Sequence, residues 1–326
     1  MEDRKERCSL MGMNMLNTKA KDPTHAVFGK TLTGETFAVP LSTGPHWIVA
    51  GSTGMGKSVT VNSILVSMLA HAHPDELKIF WVDPKMVEAA AYVNLPHCPI
   101  NPIINMVDAV AFLEYLVEEM EQRYRVLAET GFKHMKDFND WFDENRAEAE
   151  ARGYAKMPYF VCVIDEWADL VMQDKSVDDP VMRLGQKARA SGIHVMIATQ
   201  RPSAEILSSK IKANIASRIC MGVVDSMNSL IVLDQTGAEK LNTPGDALVM
   251  YKGDITRVKF PYLSDKEIAD IFAELRDRYP RSEPIDYKQA MIDLGTFEWA
   301  EEYEEDTPWE EKHLAKKRAS LFGGRK

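Results

Sequence analysis

The chain has 326 residues, of which 45% are hydrophobic and 27% are charged, a composition typical of globular proteins rather than disordered ones. Its net charge of −10 excludes a protein that coats nucleic acid with its whole surface, because such proteins are basic. Any contact with DNA is therefore confined to a local surface. No run of 18 apolar residues occurs, so no membrane segment is expected.

Strands and helices alternate along most of the chain. Strands are predicted over residues 25–30, 35–39, 47–50, 77–83, 159–164, 193–199, 217–223, 246–251 and 255–260. Helices are predicted over residues 59–69, 86–92, 108–130, 135–152, 180–191, 204–214 and 265–277, with 135–152 expected to be charged and solvated. This order predicts an α/β fold in which a mostly parallel sheet is flanked by helices, preceded by a small N-terminal β-hairpin.

The ends of the chain differ in character from its centre. Residues 1–24 are polar and predict a flexible N-terminal segment, and residues 264–326 predict a helix followed by a charged tail. The four cysteines are far apart in the sequence and are interpreted as reduced thiols, and the charged N-terminus does not resemble a signal peptide. We therefore expect a cytoplasmic protein.

A glycine-rich loop follows the strand predicted at residues 47–50. It has the form G-x-x-x-x-G-K-[ST] and consists of Gly51, Ser52, Thr53, Gly54, Met55, Gly56, Lys57 and Ser58. A helical pattern follows it, and strand, loop and helix together are the setting of a phosphate-binding loop. In such a loop backbone N–H groups and the lysine bind the phosphates, and the hydroxyl of Ser58 is a ligand for Mg²⁺. The sequence therefore predicts binding of a nucleoside triphosphate such as ATP.

Two acidic residues follow the strand predicted at residues 159–164. Asp165 fits the acid that holds Mg²⁺, and Glu166 fits a base that activates the attacking water. The pair is placed where α/β sheets bind their ligands, at the carboxyl end of a buried strand. The alternative is a pair of acids that only caps a helix. With the phosphate-binding loop present, hydrolysis is the better prediction.

Two further candidates are open to more than one interpretation from the residues alone. Gln200 ends the strand predicted at 193–199, where it either contacts the γ-phosphate or simply belongs to the turn before Pro202. Lys187 and Arg189 lie on a predicted helix, where they form a solvated basic face or supply an arginine that crosses an interface.

Several motifs taken together resemble those of the FtsK/SpoIIIE motor domain, a relative of the HerA ATPases, over residues 29–260. In one-letter code they are HWIVAG at 46–51, VDPKM at 82–86, EMEQRY at 119–124, IDEWADL at 164–170, QKARA at 186–190, ATQRP at 198–202, IKANI at 211–215 and LDQ at 233–235. The set is far more specific than the phosphate-binding loop alone.

The resemblance implies a RecA-like ATPase motor domain over residues 25–263, which forms a hexameric ring around double-stranded DNA. It assigns the phosphates and Mg²⁺ to Lys57, Ser58 and Asp165, and the activation of water to Glu166. On the same analogy Gln200 senses the γ-phosphate, Arg189 acts on the ATP of the neighbouring subunit, and Lys212 faces the DNA channel.

The chain departs from the family pattern in three respects. We expect neither the N-terminal membrane spans nor the C-terminal winged-helix module of full-length members, and residues 224–230, which match a second channel loop, contain no basic residue. The leading hypothesis is an ATP-driven DNA translocase of reduced size, for which a phage or other mobile element is a natural source. The alternatives are a ring ATPase that moves protein, a nucleotide-gated scaffold and, least favoured, a small-molecule kinase.

Overall fold

The computed structural model describes residues 21–293, and these contain a single nine-stranded sheet. In chain order the strands are β1 (His25–Thr31), β2 (Thr36–Pro40), β3 (Trp47–Ala50), β4 (Leu77–Val82), β5 (Tyr159–Ile164), β6 (Ile193–Thr199), β7 (Ser217–Met221), β8 (Asp246–Tyr251) and β9 (Asp254–Lys259). The helices are α1 (Lys57–Leu69), α2 (Met106–Thr130), α3 (Met135–Glu144), α4 (Arg146–Ala151), α5 (Trp167–Gln173), α6 (Asp178–Lys187), α7 (Ser209–Asn214), α8 (Ser226–Leu233), α9 (Asp265–Arg278) and α10 (Tyr287–Asp293). Short 3₁₀ turns cover Ala89–Tyr92, Lys175–Val177 and Ala238–Lys240.

The strand order is β2-β1-β9-β8-β7-β3-β6-β5-β4, and the strands from β7 to β4 run parallel. The remaining strands pair antiparallel and extend the sheet on one side. Strands β3, β5, β6 and β7 are buried along their whole length, as expected for parallel strands with helices on both faces. The predicted α/β fold with helices flanking a mostly parallel sheet is confirmed.

Local signals set where the helices begin and end. Helix α2 begins after Asn105, whose side chain accepts a hydrogen bond from the Asp108 amide at 2.8 Å, and it ends at Gly131 in the left-handed region. Ser264 and Glu267 form a capping box that starts α9. These signals lie in the sequence itself, which is why the predicted limits of these helices are close to the observed ones.

Four predicted helices differ from the structure. The helix predicted at 180–191 is observed at Asp178–Lys187, so Arg189 lies in the turn after it. Within 86–92 only Ala89–Tyr92 are helical, as a 3₁₀ turn, because the buried Asp83 carboxylate accepts hydrogen bonds from the amides of residues 85, 87, 88 and 89. Residues 204–208 form turns, and α7 begins only at Ser209. The segment 135–152 is two helices with a small core of their own, because Phe138 and Phe142 are buried with Leu127. That segment was expected to be solvated.

Helix α9 packs on the main core through Ile268, Phe272 and Leu275. A compact unit extends through Tyr287 and a second unit begins at Lys288. The predicted tail beyond residue 293 and residues 1–20 lie outside the described residues. The predicted division into 1–24, 25–263 and 264–326 stays a prediction.

Within residues 21–293 no helix is both long and apolar enough to cross a membrane. The cysteines of this part of the chain, Cys98, Cys162 and Cys220, are buried and unbonded. Burial raises the pKa of the Cys98 thiol to about 12, so the thiol stays protonated and unreactive near neutral pH.

Candidate nucleotide site and the edge opposite it

The phosphate-binding loop lies between β3 and α1, at the carboxyl edge of the parallel strands. Its Gly56 has φ +91°, a conformation that a residue with a side chain rarely adopts, and a Cβ there would lie 3.1 Å from the Gly245 amide nitrogen. The Gly245 amide donates to the Met55 carbonyl at 2.9 Å, and the Ser52 amide donates to the Gly222 carbonyl at 2.8 Å. The segments after β7 and before β8 therefore hold the loop from outside it.

A cavity of about 940 Å³ opens beside the loop, which is a size typical of ligand sites. Its lining comes from four parts of the chain: Ser52, Thr53, Gly54, Gly56, Lys57, Ser58 and Val59; Gln200; Thr243, Pro244, Gly245 and Asp246; and Lys259, Phe260, Pro261 and Tyr262. Sequence reasoning missed the last two parts. The only signal for them was a turn sequence at residues 243–245, and nothing in that turn indicates that it reaches the loop.

The carboxylate of Asp165 lies against Lys57. The Lys57 Nζ donates to Asp165 Oδ1, and the two side chains are only 4% and 14% exposed. Asp165 follows β5 and Lys57 follows β3, and both strands end at the same edge of the sheet. The ammonium group expected to bind phosphate is thus paired with the acid expected to hold Mg²⁺.

Glu166 caps α5 in a left-handed conformation with φ +53°, and it is buried. The Thr199 hydroxyl donates to Glu166 Oε1 at 2.9 Å, and the Gln200 amide lies 3.2 Å from the same oxygen. A strained backbone at a buried acid is frequent at functional sites, because the surrounding bonds must hold it there. Thr199 was not among the predicted site residues.

Gln200 and Lys85 complete this edge of the sheet. The Thr53 hydroxyl in the phosphate-binding loop donates to Gln200 Oε1 at 2.6 Å. The Lys85 ammonium lies 2.6 Å from Asp169 Oδ2, and that hydrogen bond raises the Lys85 pKa. Lys85 belongs to a motif noted in the sequence, but no role was predicted for it.

Two predicted site residues lie at the opposite edge. Arg189 precedes β6 and Lys212 precedes β7, whereas the cavity lies beyond the other ends of these strands. Strand β6 lies between Arg189 and Gln200, and its seven residues span about 20 Å at the rise of an extended strand. Arg189 is exposed, and its side chain makes no ion pair with any residue between 21 and 293. The structure therefore does not bring Arg189 to the cavity of its own chain.

Lys212 forms an ion pair at the same edge. Its Nζ lies 2.7 Å from Asp234 Oδ1, and Arg218 binds the other carboxylate oxygen of Asp234. Helix α8 carries an exposed apolar surface formed by Val224, just before the helix, with Met227 and Leu230. The residues that match a second channel loop therefore expose three apolar side chains and no basic one.

Known proteins share both sequence and fold with this chain. A curated relative, the DNA translocase FtsK of Corynebacterium glutamicum, is 43% identical over 266 residues, which is 78% of this chain and 29% of that protein. The chain spans less than a third of the length of this and of two other curated relatives that it matches.

Two solved structures extend the comparison. The conjugation coupling protein TcpA of pCW3, solved as a monomer with ATPγS, superposes with a TM-score of 0.68 at 28% identity, over 79% of this chain and 72% of that one. The cytoplasmic domain of the type VII secretion ATPase EccC of Thermomonospora curvata also gives a TM-score of 0.68, over 85% of this chain and 33% of that one. At 19% identity it shows the fold alone.

The family comparison covers the loop, the two carboxylates and Gln200 described above. The FtsK/SpoIIIE family model matches residues 11–204, which is more than half of the chain. The chain belongs to the FtsK/SpoIIIE family.

Proposed function

We propose that the chain is an ATP-driven motor that moves along double-stranded DNA as a hexameric ring. The observation that carries the proposal is the division of the predicted site between two edges of one sheet. Lys57, Asp165, Glu166 and Gln200 lie around or next to the cavity, and Arg189 lies at the far edge. A second copy that brings its own Arg189 to this cavity would complete the site, and a ring repeats that contact at every interface.

At the cavity we assign the triphosphate to the loop from Gly51 to Ser58, with Lys57 as its fixed positive charge. The N-terminus of α1 begins at Lys57 and adds its partial positive charge to the same place. Glu166 accepts a proton from the attacking water, oriented for this by Thr199 and the Gln200 amide. The Gln200 side chain, bonded to Thr53, reports whether a γ-phosphate is present.

The residues present fit Mg²⁺, which binds through oxygen ligands. Ser58 lines the cavity directly after Lys57, and the Asp165 carboxylate lies against that lysine. A hydroxyl next to Lys57 in the chain and a carboxylate in contact with its ammonium group are therefore both available. When bound, the ion would neutralise charge that develops on the phosphates.

We assign contact with DNA to the edge that carries Lys212. To bind a phosphate there, Lys212 must exchange its ion pair with Asp234. Residues 224–230 supply no positive charge, so few counterions are released there on binding and we expect affinity for DNA to fall only shallowly with salt. The predicted origin in a mobile element and the cytoplasmic location stay predictions.

One observation favours a second candidate, a ring ATPase that moves protein. The exposed apolar surface of Val224, Met227 and Leu230 suits a polypeptide better than a phosphate backbone. The net charge of −10 points the same way. The two candidates differ in which polymer accelerates ATP hydrolysis.

The test measures ATP hydrolysis with and without long duplex DNA, at low and at moderate salt, on assemblies whose size is confirmed by light scattering. We expect DNA to stimulate hydrolysis, and Lys57→Ala and Glu166→Gln to abolish it. Lys212→Ala should reduce the stimulation while leaving the rate without DNA unchanged, because Lys212 lies far from the cavity. Confirmed rings that hydrolyse ATP but show no response to DNA at low salt would refute the DNA motor and leave the protein motor.

A further inference from the structure

The turn that carries Arg189 is unusually well held for an exposed segment. It runs from Lys187, the last residue of α6, to Gly192, just before β6. Within it the Ser191 hydroxyl donates to the Ala188 carbonyl at 2.9 Å, and Arg189 is exposed. The backbone is fixed while the guanidinium stays accessible.

Tyr124 on helix α2 binds this turn just before Arg189. Its hydroxyl donates to the Lys187 carbonyl. Glu121, one turn earlier on α2, pairs with the Lys187 ammonium at 3.4 Å. Helix α2 therefore holds the residue two positions before the arginine through both its carbonyl and its side chain.

Arg123, the neighbour of Tyr124, binds the C-terminal end of the turn. Its Nη1 donates to the carbonyls of Ser191 and Pro158, each at 2.8 Å, and its side chain is 3% exposed. Glu119 accepts from Arg123 Nε at 2.8 Å, and the guanidinium lies over the Phe160 ring at 4.2 Å. A buried and stacked arginine that is bonded through both Nε and Nη1 is a rigid support.

Helix α3 closes the remaining side. The Met135 amide donates to the Ala190 carbonyl at 2.8 Å. Gly192 has φ +72°, and a Cβ there would lie 2.4 Å from the Met135 methyl carbon, so this methionine packs directly against the end of the turn. Helices α2 and α3 thus fix the turn from two directions.

These contacts lie at the edge far from the cavity, so they do not shape the nucleotide site of their own chain. A positive charge that must reach the γ-phosphate of a neighbour has to be presented in one direction, since a misplacement of about 1 Å can cost about a hundredfold in rate. The arginine side chain is long and has several rotatable bonds. The backbone at Arg189 therefore has to fix the position from which the side chain extends. A turn that only connected α6 to β6 would not need the hydrogen bond from the Tyr124 hydroxyl to the Lys187 carbonyl.

We propose that Tyr124 and Arg123 are positioning residues that aim Arg189 at the nucleotide of the adjacent subunit. The inference rests on the proposed function, in which Arg189 acts across the interface. It assigns a task to two residues of the EMEQRY motif at 119–124, which the phosphate-binding loop and the carboxylates do not explain.

The first test is Tyr124→Phe, which removes one hydroxyl and keeps the ring. We expect the kcat for ATP to fall roughly tenfold or more, because Arg189 is worth orders of magnitude when well placed. The KM should stay within about twofold, since the chain's own phosphate-binding loop is unchanged. The control is Tyr154→Phe, whose hydroxyl forms no hydrogen bond in the described part of the chain and whose ring also packs near α3. Equal kcat values for the two variants would overturn the proposal.

The second test uses mixed assemblies, which separate a role across the interface from general damage. Tyr124→Phe mixed with Glu166→Gln should regain activity, because an intact Arg189 from one subunit then meets an intact Glu166 in the other. Tyr124→Phe mixed with Arg189→Ala should not regain it, because every interface then has a defective arginine. The reverse pattern would show that Tyr124 serves its own chain's site and would overturn the proposal.

Two further measurements keep the result interpretable. If Tyr124→Phe does not assemble, Glu119→Gln replaces it, because it weakens the support of Arg123 from a partly exposed position and should fall in the same complementation group. If Glu119→Gln instead falls in the complementation group of Glu166→Gln, that result contradicts the proposal. Arg189→Ala mixed with Glu166→Gln tests the proposed function itself, so a failure there is distinguishable from a failure of Tyr124 alone.

Discussion

The ion pair between Lys57 and Asp165 predicts a measurable coupling in the protein without nucleotide. Both side chains are largely buried, at 4% and 14% exposed, and they are in direct contact. The perturbations are Lys57→Met, which keeps the apolar stem and removes the charge, and Asp165→Asn, which keeps the shape. Each single variant leaves a charged group without its partner at a site largely closed to water.

The expected size follows from the burial of the pair. Two unit charges about 4 Å apart interact by about 4 kcal/mol at the effective dielectric constant of a protein near its surface, and residual exposure reduces this. We therefore expect a coupling energy of about 2–3 kcal/mol in a double-mutant cycle. The double variant should be nearly as stable as the parent chain, because removing both charges also removes the cost of burying them.

The assay is urea unfolding of the four proteins without nucleotide, with the free energy of unfolding taken from each transition. The matched control is the cycle for Lys136 and Asp140, an exposed pair one helical turn apart whose side chains are 64% and 61% exposed. That pair should couple by only about 0.3–0.5 kcal/mol. Effects that add within about 0.5 kcal/mol at Lys57 and Asp165 would refute the reasoning, because the pair would then not interact in solution.

Three other predictions concern Glu166, helix α9 and the buried histidines. Thr199→Val removes the hydroxyl that orients Glu166, so the kcat of ATP hydrolysis should fall about tenfold with KM unchanged; an unchanged kcat would count against that orientation. Phe272→Ala opens a cavity where α9 packs on the core and should cost about 3–5 kcal/mol in urea unfolding, whereas a loss below about 1 kcal/mol would mean that the helix docks weakly. Burial lowers the pKa of His46 to about 3 and that of His194 to about 4, so the unfolded chain, with histidine near 6.5, binds more protons as the pH falls. The free energy of unfolding should therefore drop between about pH 6.5 and pH 4, by up to about 1.4 kcal/mol per pH unit for each histidine; His194→Gln should flatten the slope, and a parent profile without slope would contradict the assignment.

Features that depend on neighbouring residues in the chain were predictable. The phosphate-binding loop was recognised because its glycines, Lys57 and Ser58 are consecutive and follow an apolar strand. Helix α9 was placed to within a residue because Ser264 and Glu267 cap it locally. The candidate carboxylates, Asp165 and Glu166, were found for the same reason, since they directly follow a run of apolar residues that β5 requires.

Features that depend on burial or on contacts between distant segments were not predictable. The segment 135–152 looked solvated because its charges outnumber its aromatic residues, yet Phe138 and Phe142 meet Leu127 of α2 and form a core. There a partner elsewhere in the structure overrode the local preference. The turn after Asp83 has a local cause, because the Asp83 carboxylate accepts hydrogen bonds from the amides of residues 87, 88 and 89, but the burial that favours these bonds is set by the fold.

The sequence by itself determined which residues are candidates for the chemistry, because the loop, the carboxylates, Gln200 and Arg189 each lie in a short and recognisable pattern. The tertiary structure alone decided how they are grouped. Parallel strands place every residue after a strand at one edge of the sheet and every residue before a strand at the other. Lys57 therefore meets Asp165, and Arg189 is left about the length of β6 from Gln200. The contact between Lys57 and Asp165 is not visible in a linear sequence, because it arises only when β3 and β5 lie in one sheet with β6 between them.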